Sequence, residues 1–162
     1  MGKFIIRDHL LAPRYKISMR FKCKNPFLIH DIIQKLLQDV LKVTGKDVYE
    51  HRVTWDDTSV NREFFGHWHG QDECDRWSMK YITVKAQGAQ NAETKMGWVQ
   101  IWIEGELVTE FSYSNPFQRF FFEMFRRVFY SKQRREYIEE ANDNIKEIKT
   151  RIRAAYGMPE EE

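Results

Sequence analysis

Three side chains near the middle of the chain have the types and spacing of a metal site. His67 and His69 are two residues apart, and Glu73 follows four residues after the second histidine. Because alternate residues of a strand lie on one face, both imidazoles can reach a single ion. His51, on a neighbouring predicted strand, is a candidate third ligand or general base. The simpler interpretation, which we favour, is a histidine-rich strand end that runs into a solvated acidic turn.

The spacing His-x-His-x3-Glu at His67, His69 and Glu73 resembles part of the first metal motif of the cupin family. The resemblance implies that all three side chains are metal ligands, and it makes a metal-dependent enzyme one alternative function. In such an enzyme the ion activates a water molecule, and a nearby His51 or Asp72 moves the proton. The chain departs from the cupin pattern at the framing glycines, where Asn61 and Lys80 stand.

Two groups of cations are candidates for contact with nucleic acid or with an anionic membrane surface. Residues 1–26 contain seven Lys and Arg against one Asp, although the whole chain carries a net charge of only +2. The alternative is that these long side chains only cover the solvent side of a sheet and of a helix. The first group is Arg14, Lys16, Arg20, Lys22 and Lys24, and the second is Arg126, Arg127, Lys132, Arg134 and Arg135.

The elements that position these residues follow from hydrophobic periodicity. Asn-Pro-Phe occurs at Asn25 and again at Asn115, and each copy predicts a helix start with an Asn cap and a first-turn proline. The first helix is expected to run to about Thr44 and to stop at Gly45, and the second to run to about Tyr156. Alternating patterns predict six strands, with a turn at Gly105-Glu106, over residues 15–24, 48–56, 62–69, 76–87, 97–104 and 107–113.

This order of elements predicts an α+β fold in which an antiparallel meander packs on one crossover helix and a long C-terminal helix. It resembles the helix-grip superfamily of START-like ligand-binding domains. The resemblance implies an apolar small molecule held between the sheet and the C-terminal helix. The expected pocket walls are Phe120, Phe121 and Met124 on the helix, with Trp77 and Tyr81 opposite.

The second half of the C-terminal helix carries apolar residues at coiled-coil spacing from Ile138 to Ile152. One interpretation is a protruding extension over about residues 132–156 that forms a homo-oligomer, and the other is packing within a single domain. Trp98 and Trp102 have the opposite parity to Val99, Ile101 and Ile103, so both faces of the sheet are expected to be partly covered.

The composition limits the function classes. Two cysteines exclude a disulfide scaffold and favour a reducing, cytoplasmic location. No apolar run approaches the length of a transmembrane helix, and no glycine-rich phosphate loop is present. We therefore predict a non-catalytic binding protein that needs no cofactor. An oligomeric adaptor for nucleic acid or a protein partner, acting through the basic surfaces and the C-terminal helix, is the first alternative.

Overall fold

The computed structural model describes residues 1–159, and a six-stranded antiparallel sheet is its central element. The strands are β1 (Gly2–His9), β2 (Ile17–Lys24), β3 (Val48–Asp56), β4 (Asn61–Glu73), β5 (Ser78–Asn91) and β6 (Met96–Tyr113). The helices are α1 (Leu28–Leu41), α2 (Pro116–Phe125) and α3 (Ser131–Ala155), with a 3-10 turn at Gly45–Asp47 and a π-helical segment at Arg126–Tyr130. The α+β class predicted from the sequence is confirmed.

The sheet is organised around β6, which is 18 residues long and pairs with three strands. One edge of β6 pairs with β2 along its first half and with β1 along its second half. The opposite edge pairs with β5, which is followed by β4 and then by β3. The sequence prediction missed β1 because charged residues interrupt its short apolar pairs. This pattern is typical of an edge strand with one exposed face.

The predicted turn at Gly105-Glu106 is wrong, because β6 continues through both residues. A Cβ atom on Gly105 would lie 2.7 Å from Leu10 Cδ1 and 2.8 Å from Ile145 Cδ1. The glycine therefore allows α3 and the chain after β1 to approach the sheet closely, which is a packing role rather than a turn.

The two Asn-Pro-Phe segments have different structures. Asn115 caps α2 as predicted, since its Oδ1 accepts a hydrogen bond from Gln118 N at 2.8 Å. Asn25 instead adopts a left-handed conformation with φ 54, and its N–H donates to the Lys95 carbonyl. α1 therefore begins without a side-chain cap, and it ends at a left-handed Lys42 rather than at Gly45.

α1 and α3 cover one face of the sheet and bury its apolar residues. The apolar seam of α3 lies in this core: Ala141, Ile145, Ile148 and Ile152 are fully buried. The interpretation of 132–156 as a protruding extension therefore differs from the structure, in which α3 packs against α1 and β6 of its own chain. We call this side of the sheet the covered face and the other side the open face.

A polar cluster fixes the start of α3 against the covered face. Asp75 Oδ2 accepts hydrogen bonds from Tyr130 Oη at 2.5 Å and from Tyr137 Oη at 2.8 Å. Asp75 Oδ1 accepts from the backbone N–H groups of Trp77 and Ser78. Burial alone would raise the pKa of Asp75, but these four hydrogen bonds hold it below its ordinary value.

α3 ends at Ala155, close to the predicted end near Tyr156, and a left-handed Gly157 with φ 72 follows it. Within residues 1–159, no helix is both long enough and apolar enough to cross a bilayer.

Candidate functional site

The structure does not bring the predicted pocket residues together. Phe120, Phe121 and Met124 lie on the surface, with 59%, 61% and 49% of each residue exposed. Tyr81 lies on the open face, on the other side of the sheet from α2. Of the two residues predicted to lie opposite the helix, Trp77 contacts it through Phe125 and Tyr130, and Tyr81 does not.

The side of α2 that faces the protein is aromatic as well. Phe122 stacks on Phe111 of β6 with ring centroids 5.0 Å apart, and Phe125 contacts Trp77 at 5.5 Å. The sequence prediction selected the outward side of a helix that is aromatic on two sides. Hydrophobic periodicity cannot distinguish these sides, because phenylalanine occurs on both.

The π-helical segment that follows α2 also has a buried side and an exposed side. It turns Tyr130 inward, where its hydroxyl bonds to Asp75 and Ser78, while Val128 and Phe129 stay exposed. π-helical insertions often occur at functional sites. The resulting outward surface, which we call the phenylalanine stripe, has members between 49% and 80% exposed: Phe117, Phe120, Phe121, Met124, Val128 and Phe129.

The helical segment that carries the phenylalanine stripe, together with the start of α3, is also rich in cations. Arg119, Arg127, Lys132 and Arg135 are exposed, and Arg126 is half-buried with its guanidinium 6.0 Å from the Phe4 ring. The one acid between residues 114 and 135 is Glu123, which pairs with Arg127 at 2.9 Å. Arg134, predicted as part of this group, is instead buried against Asp8 and is unavailable to a ligand.

Most of the first predicted cation group lies on the open face along and just before β2, and Arg14 lies in the bend that precedes it. We call Arg14, Lys16, Arg20, Lys22 and Lys24 the basic ribbon; all five are exposed. The Arg20 guanidinium lies 4.5 Å from the centroid of the Trp98 ring, and Lys16 Nζ lies 5.6 Å from that of Trp102. Both tryptophans project from β6 onto the open face, as their parity predicted.

Three histidines also meet on the open face. A bulge in β3 between Glu50 and Arg52 places His51 beside His67 and His69 of β4, with ring centroids 4.6 Å and 4.5 Å away. His51 Nε2 contacts His69 Nδ1. Burial, followed by the charge that a protonated His51 contributes, lowers the pKa of both His67 and His69.

The predicted metal site is not formed. Glu73 lies four residues along β4 from His69, which at about 3.3 Å per residue is too far for both to bind one ion. In the part of the chain that the structure describes, no group of three or more His, Cys, Asp or Glu residues is arranged to hold a metal ion. Burial raises the pKa of Cys23 and Cys74 to about 11, so neither thiol is an activated nucleophile.

No family model and no curated protein matches the chain. Among solved structures, an uncharacterized protein from Rhizobium leguminosarum aligns over 93% of this chain and 99% of its own, with 11% identity and a TM-score of 0.25. A TM-score this low carries no argument about fold or function, so the resemblance to the helix-grip superfamily stays a prediction.

Proposed function

We propose that this protein is a non-catalytic binding protein that docks on anionic membrane surfaces through the phenylalanine stripe. The observation that carries the proposal is the exposure of six large apolar side chains along one short helical segment. A contiguous exposed apolar surface of this kind is typical of an interaction site rather than of ordinary solvent-facing surface.

The stripe is held rigidly, which favours a binding role over local disorder. Phe122 and Phe125 attach α2 to the sheet, and Asn115 caps its start. The exposed side chains thus lie on a helix whose inner side is already packed against the protein. A preformed surface loses little conformational entropy on binding.

The surrounding charge favours a membrane over a second copy of this chain. A two-fold pairing of stripes would bring two helical segments that are both rich in cations close together. Glu123 is already paired with Arg127, so it offers little compensation. An anionic lipid surface supplies phosphate and carboxylate groups to these cations while phenylalanine rings enter the interface, the arrangement of in-plane amphipathic helices. Each Lys or Arg near such a surface contributes about 1 kcal/mol.

The predicted apolar small-molecule ligand is less well supported, because its helical wall residues are exposed. The cytoplasmic location stays a proposal that fits this function, since the cytoplasmic leaflet is the anionic one. Peripheral docking also requires no membrane-spanning segment.

The test is sedimentation with vesicles of phosphatidylcholine containing 30% phosphatidylserine, beside vesicles of phosphatidylcholine alone. We expect the wild type to bind the anionic vesicles and the double variant Phe120→Glu/Phe121→Glu to bind at least tenfold more weakly. Val60→Glu is the matched control, because Val60 is 55% exposed in the turn between β3 and β4 and lies outside the stripe.

Three results would overturn the proposal: no vesicle binding by the wild type, equal binding by the double variant, or equal binding to vesicles without phosphatidylserine. Sedimentation equilibrium of the same proteins tests whether a second copy of this chain covers the stripe instead. A wild-type dimer that becomes monomeric in the double variant, with no vesicle binding, would assign the stripe to self-association.

A further inference from the structure

The open face of the sheet carries a second surface that does not depend on the phenylalanine stripe. We infer that the basic ribbon and the tryptophans beside it, Trp98 and Trp102, bind single-stranded nucleic acid. The inference rests on three features: cations without acidic partners, aromatic rings next to them, and a sheet face that no helix of residues 1–159 covers.

The ribbon cations differ from three other cations of the open face. Lys3 pairs with Glu110 at 2.7 Å, Arg7 with Glu106 at 3.4 Å, and Lys85 with Glu104 at 3.4 Å. Within residues 1–159, none of the five ribbon cations forms an ion pair, and two of them lie over tryptophan rings. Their positive charge is therefore not neutralised by the protein and is available to a polyanion.

The ribbon has the repeat of an extended strand. Arg20 and Lys22 project from the same face of β2, so their backbones are about 6.6 Å apart along the strand. β2 is also an edge of the sheet, since among the described strands it pairs with β6 alone. A linear ligand can therefore run along this edge with one phosphate near each cation.

The neighbouring rings supply the second element of single-strand recognition. In the register of β2 and β6, Trp98 lies opposite Lys22 and Trp102 lies opposite Ser18. Each tryptophan also lines a shallow depression of the open face, of about 240 Å³ beside Trp98 and about 220 Å³ beside Trp102. Bases stack on aromatic rings and on arginine planes, and stacking of this kind tolerates any base sequence.

A single strand fits these features better than a duplex does. A duplex keeps its bases stacked inside, so it would use the cations and leave the tryptophans without partners. Because α2 lies on the covered side, a molecule docked on a membrane by the phenylalanine stripe keeps the ribbon accessible to solution.

The probe is a fluorescein-labelled twelve-nucleotide oligo(dT), followed by anisotropy at salt concentrations from 50 to 200 mM. We expect Arg20→Gln to weaken binding several-fold and to reduce the steepness of the log–log salt dependence by about 0.7, the value for one lost phosphate contact. Trp98→Ala should weaken binding at least fivefold with an unchanged salt slope, because it removes stacking without removing charge.

Lys35→Gln is the matched control, since it removes one exposed cation from α1 on the covered side. No oligonucleotide binding by the wild type at 50 mM salt would overturn the inference. So would an equal loss in Lys35→Gln and Arg20→Gln, or equal affinity for a twelve-base-pair duplex. Weaker binding of Arg20→Gln to anionic vesicles, with unchanged oligonucleotide binding, would assign the ribbon to lipid instead.

Discussion

The covered face and the open face are made by alternate residues of the same strands, yet they bury their side chains to very different extents. On β6, Val99, Ile101 and Ile103 are fully buried beneath α1 and α3. Trp98 and Trp102, which alternate with these residues, stay partly exposed and lie beneath Arg20 and Lys16. The covered face supplies the stability of the fold, and the open face is left free to contact other molecules.

The C-terminal helical segment shows the same division along one continuous run of chain. α3 buries four residues of its apolar seam fully, whereas α2 packs on Phe111 and Trp77 through two phenylalanines and, with the π-helical segment, exposes the phenylalanine stripe. The polar cluster around Asp75 lies at the junction between the exposed aromatic segment and the buried α3. Large apolar residues therefore have two roles in this protein, and burial distinguishes them.

The largest expected effect tests the comparison between the faces with neighbouring residues of β6. Ile101→Ala should lower the free energy of unfolding by about 2–5 kcal/mol, because it leaves a cavity among packed side chains. Gln100→Ala, on the open face one residue earlier, should change it by no more than about 0.5 kcal/mol. Urea unfolding monitored by circular dichroism measures both. Similar losses in the two variants would contradict the division.

Much of the covered face could be predicted from the sequence, because period-2 alternation and the apolar side of α1 specify which residues point inward. The parity of Trp98 and Trp102, and the shared face of the basic ribbon, were also readable from spacing alone. Such patterns are local, and they predict the folded arrangement correctly because each strand has one covered side.

The remainder depended on long-range contacts that spacing does not encode. Gly105 looks like a turn residue until Leu10 and Ile145 are seen to occupy the space that a side chain would need. The sequence shows that α2 is rich in phenylalanine, but the choice of Phe122 and Phe125 as inward residues depends on Phe111 and Trp77. His51 joins the other histidines through a bulge that no motif announced.

A smaller effect is expected where the covered face receives the start of α3. Asp75→Ala removes an acceptor from two tyrosine hydroxyls and two backbone N–H groups, and should cost about 3 kcal/mol of unfolding free energy. Tyr137→Phe removes one of these bonds and should cost about 1 kcal/mol. Thermal unfolding of both variants measures the difference. A cost for Asp75→Ala no larger than that for Tyr137→Phe would show that the cluster does not act as the anchor of α3.

The smallest effect concerns the open face and depends on pH. The pKa values of His67 and His69 are lowered from 6.5 in the folded protein, so the unfolded chain binds protons more readily than the folded one. Stability that is fully present above pH 6.5 is therefore lost as the pH falls through the lowered values. We expect the urea midpoint to decrease between pH 7.5 and 5, and to decrease less in His67→Gln/His69→Gln. His9→Gln, which lies outside the cluster, should keep the wild-type dependence. If the double variant kept that dependence too, the acid sensitivity would arise elsewhere than in His67 and His69.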